Sequence, residues 1–182
     1  FIALELVTIG FYILISFRKD NVLSLEAAIK YLTLGGLSSA ILLFGIVLLY
    51  GMSGNPELNG YTFNGFQFNE LREFIGFNSN QENLIIRLGS LLVISGVCFK
   101  LGLVPFQIWV PDVYQGAPTP SMAYLALTSK AAGVFVLMNL LIGPFWFLKD
   151  FLIPLLSVLC CITILYSNIS ATGQKNIKRL IG

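Results

Sequence analysis

Long apolar stretches alternate with short polar ones along this 182-residue chain, and their lengths set the elements. About 20 apolar residues are needed to cross roughly 30 Å of hydrocarbon. Five stretches approach that length: one from before residue 1 to Phe17, then Leu25 to Tyr50, Leu84 to about Trp109, Ser121 to Ile142, and Phe151 to about Ala171. A sixth begins near Ile177. The second is the best bounded, because Ser24 ahead of Leu25 and Glu26 resembles a helix start with a capping hydroxyl and an acid in the first turn. Residues 51–83 carry Asn, Gly and Glu in turn-forming order with no sustained apolar period, which predicts an external loop with one short amphipathic turn. Residue 1 is Phe and the chain stops just as another apolar stretch begins, so it reads as a fragment without a signal peptide.

The third span contains its own interruption. Pro105 and Pro111 each remove a backbone donor and clash with the preceding turn, so the helix is expected to break between Val104 and Pro111. A break at membrane depth is tolerated only against protein or a water-filled cavity. The predicted fold is all-α, a polytopic transmembrane helix bundle of one domain over residues 1–182, with one discontinuous helix.

Composition removes the competing solvent. Hydrophobic residues make up 56% and charged residues 11%, with a mean hydropathy of +0.82, far from a soluble domain. The bilayer is therefore a partner. A net charge of +2 gives no basis for a nucleic-acid partner. There is no histidine, and Cys98, Cys160 and Cys161 lie in apolar spans without ligand-like spacing, so neither a metal site nor a disulfide is expected.

Basic residues set the orientation. Arg18 and Lys19 follow the first span and Lys175, Lys178 and Arg179 follow the fifth, so alternation puts both groups on one side, the cytoplasm or matrix. The 51–83 loop, with Glu57, Glu70, Glu73 and Glu82 against one Arg72, falls on the other.

Charges inside the spans are few and costly, which makes each a functional candidate. Lys100 sits in LLVISGVCFKLGLVPF and Lys130 in SMAYLALTSKAAGVFVLMNLL. The expected break gives Lys100 a hydrated neighbourhood and freed carbonyls to accept from its ammonium; the plain alternative is a helix that ends at Pro105 with the lysine snorkelling to the interface. For Lys130 the plain alternative is a structural ion pair. Glu5, in IALELVTIGFYI, is the natural counter-charge, since a carboxylate and an ammonium sharing a low-dielectric site stabilise each other's charged forms. An acid near a helix end at the interface is its plain alternative. Lys30 lies four residues after Glu26, which is also the spacing of an ordinary surface pair.

The segment FKLGLVPFQIWVPDVYQGAPTPSMAYLALTSKAA resembles the signature of the antiporter-like, proton-translocating subunits called N or 2 in respiratory NADH:quinone oxidoreductase (complex I). IALELVTIGFYILISFRKDN and SLEAAIKYLTLGGLSSAILLFGIVLLYG are similar to the two preceding helices, and NIKRLIG to the start of a later one. The resemblance spans the chain apart from the 51–83 loop. It implies an antiporter-like fold of which this chain holds about one of two inverted half-repeats, less its first helix and plus one more. It implies that Glu5 pairs with Lys100 on the broken helix, that Lys130 links this site to a central hydrophilic axis, and that Lys30 is the lysine of the helix after the glutamate. Family members often carry histidine where this chain has Gln107.

The resemblance also implies that no cofactor binds this chain. NADH, FMN, iron–sulfur clusters and quinone would belong to partner subunits, alongside other membrane subunits of the complex. The setting would be a bacterial cytoplasmic membrane, or a mitochondrial inner or thylakoid membrane. The expected work is proton translocation by electrostatic gating. The alternatives are a subunit of a cation/proton antiporter and a structural membrane scaffold with inert buried charges.

Overall fold

A computed structural model describes residues 1–53, 67–78 and 83–181. All regular elements among them are helical: α1 (Ile2–Ile15), α2 (Val22–Ser53), α3 (Phe68–Asn78), α4 (Leu84–Leu101), α5 (Trp109–Gly116), α6 (Thr119–Tyr124), α7 (Lys130–Ile142), α8 (Lys149–Thr172) and α9 (Ile177–Ile181). A π-helical turn, Leu125–Ser129, joins α6 to α7, and short 3₁₀ turns precede α5 and α8. Four helical stretches are long and apolar enough to cross a membrane: Val22–Ser53, Leu84–Gly116, Thr119–Ile142 and Trp146–Thr172. The shorter α1 is the fifth apolar helix.

The spans fall where the apolar pattern puts them, with three corrections. Helix α2 begins before Ser24. The Asn21 side chain accepts from the Leu23 amide at 3.1 Å, so the start belongs to Asn21. Ser24 lies within the helix, fully buried, and donates to the Ile15 carbonyl at 2.5 Å, which clamps α2 to the end of α1. Within 51–83, residues 51–53 extend α2, and Phe68–Asn78 form three turns rather than one. Leu71, Phe74 and Ile75 recur at helical spacing and are buried, which holds α3 on the bundle. Glu57 and Glu82 of the expected loop lie outside the described residues.

The third correction concerns the break. It begins at Gly102, which ends α4 with φ of +75°, a left-handed conformation that suits a residue without a Cβ. The Gly102 amide donates to the Phe99 carbonyl at 3.0 Å and the Leu103 amide to the Cys98 carbonyl at 3.1 Å, closing the helix end. Pro105 lies in the interruption. Pro111 does not extend it, because it sits in the first turn of α5, where the absent amide has no intrahelical partner to lose.

Close approach holds the centre together. Helix α2 packs along α4, and a Cβ on Gly96 would stand 2.5 Å from the Leu42 Cβ. Small residues at such crossings let helix backbones meet where the solvent supplies no hydrophobic drive. Ser38 adds a hydrogen bond across the seam to the Gly96 carbonyl at 3.2 Å.

Candidate proton-path site

Lys100 lies in the last turn of α4, two residues before Gly102, and its ammonium crosses to α1. Its Nζ donates to Glu5 Oε1 at 2.9 Å and to Thr8 Oγ1 at 2.9 Å. The second Glu5 oxygen accepts from the Ser39 hydroxyl at 2.7 Å. The side chains of the pair are only 15% and 22% exposed. The expected Glu5–Lys100 contact is present, with Thr8 accepting a second hydrogen bond from the ammonium and Ser39 donating to the carboxylate.

The freed backbone at the break takes partners other than the lysine, contrary to the expectation. The Phe99 carbonyl accepts from the Trp109 indole at 3.1 Å, and the Val104 amide donates to Thr163 Oγ1 of α8 at 3.0 Å. Trp109 fits there because its ring lies 5.7 Å from Phe99 and 4.9 Å from Tyr31. Two backbone groups at the break are thereby held by side chains from other turns and helices.

Lys130 opens α7 at the end of the π turn, partly buried. Its ammonium stands 5.5 Å from the centroid of the Tyr114 ring. It also lines a cavity of about 400 Å³ with Gln107, Thr163, Ser167, Asn168 and Arg179. The Gln107 Oε1 is buried and makes no hydrogen bond among the described residues. The structure therefore does not join Lys130 directly to Glu5 and Lys100.

Lys30 is bound more widely than its spacing suggested. Its Nζ meets Glu26 Oε1 at 2.8 Å and Asp112 Oδ2 at 2.8 Å. The other Asp112 oxygen accepts from Arg179 Nη2 at 3.0 Å, and Lys178 Nζ donates to the Ala117 carbonyl at 3.1 Å. One carboxylate thus ties α2, α5 and α9 together beside a cavity of about 280 Å³ that Arg179 also lines. These contacts put the start of α2 and residues 178–179 at the same end of the bundle, as alternation requires. Asp112 was missed as a site residue; the signal available was a lone acid at the end of the third apolar stretch, on the side that carries the basic residues.

Among the described residues, no three His, Cys, Asp or Glu side chains are grouped to hold a metal ion, and the three cysteines are free.

The family model described as NADH:quinone oxidoreductase/Mrp antiporter, transmembrane, matches residues 1–182. The chain belongs to that family. Among curated relatives of this family, NADH-quinone oxidoreductase subunit N 1 of Opitutus terrae is 52% identical over the whole chain, which covers 36% of that protein. Subunit N of Desulforamulus reducens is 40% identical, with the same coverage. Among solved structures, respiratory complex I from Thermus thermophilus with bound aureothin superposes with a TM-score of 0.73 at 31% identity, over 99% of this chain and 35% of that one. An archaeal membrane-bound sulfane sulfur reductase superposes at 0.77 with 28% identity, over 98% and 34%. The chain thus spans about a third of the length of the relatives it matches. Its spanning helices and its bacterial relatives make it an integral membrane protein of the bacterial cytoplasmic membrane.

Proposed function

We propose that this family segment forms one transmembrane unit of a proton-translocating membrane-arm subunit of NADH:quinone oxidoreductase. Electron transfer from NADH through flavin and iron–sulfur clusters to quinone takes place in partner subunits; this chain moves protons and performs no redox chemistry. The observation that carries the reading is the mostly buried Glu5–Lys100 pair beside a helix break, in a chain 52% identical to a subunit N.

The pair acts as the switch. In the closed state the Glu5 carboxylate holds the ammonium at 2.9 Å. With an effective dielectric constant of about 20, opening the pair to roughly 6 Å removes about 3 kcal/mol of attraction. The released proton passes toward Lys130 through water in the break and the adjoining cavity. Lys30 and Asp112 hold the end of the path on the basic side.

The test uses the full-length subunit in the assembled enzyme, reconstituted in vesicles, with NADH-driven pH change and NADH:quinone turnover measured together. Lys130→Met keeps the length and apolar stem of the side chain and is expected to lower pumping, with turnover falling as far as the two are coupled. Lys149→Met is the control. Lys149 opens α8 and rests on the Trp146 ring at 4.4 Å, and its loss is expected to change little. Wild-type pumping by an assembled Lys130→Met enzyme would contradict the assignment of Lys130. A member of a separate cation/proton antiporter would instead purify without flavin and iron–sulfur subunits.

A further inference from the structure

Lys100 and Lys130 are seated differently, and the difference is chemical. Lys100 meets a carboxylate and a hydroxyl. The carboxylates of Glu5, Glu26 and Asp112 are ion-paired with Lys100, Lys30 and Arg179, and none of them meets Lys130. What its ammonium meets is the face of Tyr114.

We propose that Tyr114 is a positioning residue for Lys130, its ring face seating the ammonium where Lys100 has Glu5. The proposal rests on the reading of Lys130 as a proton carrier. Tyr114 is firmly held. It is fully buried, as is its neighbour Val113, and α5 is packed against α2 beside it by the glycine at position 116. It also belongs to the far half of the broken helix, so the break is what presents the ring to Lys130. The π turn that ends at Ser129 adds a residue to the helix just before Lys130 and sets the direction from which the lysine leaves.

An aromatic face attracts a cation through its quadrupole but offers no lone pair to take the proton. A carboxylate would hold the ammonium more tightly and compete for its proton. A ring therefore suits a carrier that must be held in place and still hand its proton on. The Tyr114 hydroxyl makes no hydrogen bond among the described residues, so the face is the part of the residue in use.

The test separates face from hydroxyl in the full-length subunit within the assembled enzyme. Tyr114→Phe keeps the face and is expected to pump within about twofold of wild type, since the hydroxyl lost has no partner. Tyr114→Leu removes the face and is expected to pump at least about fivefold more slowly. The decisive arm replaces Tyr114 by phenylalanines carrying one, two and three fluorines, which weaken the ring face at nearly constant size. The logarithm of the pumping rate should fall step by step with fluorine number, a response that packing alone does not give. A flat fluorine series, wild-type pumping by Tyr114→Leu, or a Phe variant as slow as the Leu variant each overturns the proposal. Lys130→Met run in parallel tells the two failures apart. If it pumps normally, the reading of Lys130 has failed; if it does not pump while the fluorine series is flat, the seat alone has failed.

Discussion

Lys100→Met in the full-length, assembled subunit is expected to lower NADH-driven proton pumping at least about tenfold, equivalent to about 1.4 kcal/mol or more on the limiting step. The substitution keeps the apolar stem and removes the one cation that meets Glu5 at 2.9 Å. Glu5 retains its hydrogen bond from Ser39 but loses its counter-charge. Removing one partner of a buried pair costs about 3–5 kcal/mol, and the residual exposure of these side chains points to the lower end. Glu5→Gln should cost a similar amount of stability for the opposite reason, since it strands the ammonium on Thr8. The double variant separates structure from function. With both charges gone the bundle should be at least as stable as either single variant, yet pumping should stay low, because no proton carrier remains at the position of Lys100. Thermal stability of the purified enzyme and vesicle acidification, measured on all three, decide the matter. An assembled Lys100→Met enzyme that pumps like wild type would refute the role of the pair.

Much of this site was legible before any coordinates, for a reason particular to membranes. A charge in an apolar run is so costly that Glu5, Lys100 and Lys130 stand out individually, while the choice of Lys100 over Lys130 as the partner of Glu5 came from the family resemblance. The apolar lengths set the spans for the same reason. What escaped depends on local competition and on distant contacts. Asn21 starts α2 instead of Ser24 because both are good caps, and only the tertiary bond from Ser24 to Ile15 settles which one is free to act. Gly102 takes the break from the prolines because a left-handed residue ends a helix outright, whereas Pro111 is acceptable in a first turn. Helix α3 was hidden by the Asn- and Gly-rich sequence around it, its stability being drawn from packing Leu71, Phe74 and Ile75 on the bundle. Asp112 was not singled out, because its ties to Lys30 and Arg179 cross 82 and 67 residues of sequence.

Gly116→Ala should disable the protein by geometry alone, although it touches no charge. A Cβ at this position would overlap the Leu23 carbonyl oxygen and stand 2.7 Å from the Ala27 Cβ. The first of these is main chain of α2, so relief requires that α5 move as a body. Overpacking of this kind costs about 1–3 kcal/mol. The larger consequence is positional, since α5 carries Trp109, which closes the break, Asp112, which holds Lys30, and Tyr114, which faces Lys130. Backing α5 away loosens all three at once. Gly36→Ala is the matched control, because a Cβ there meets nothing within 4 Å and alanine is the better helix former by about 1 kcal/mol. The expected result is a Gly36→Ala enzyme at least as stable as wild type, beside a Gly116→Ala enzyme that assembles poorly and pumps slowly even in the fraction that assembles. Native-gel yield and pumping per assembled enzyme read the two effects separately. Equal yield and equal pumping from the two variants would mean that the contact between α5 and α2 is looser than these distances imply.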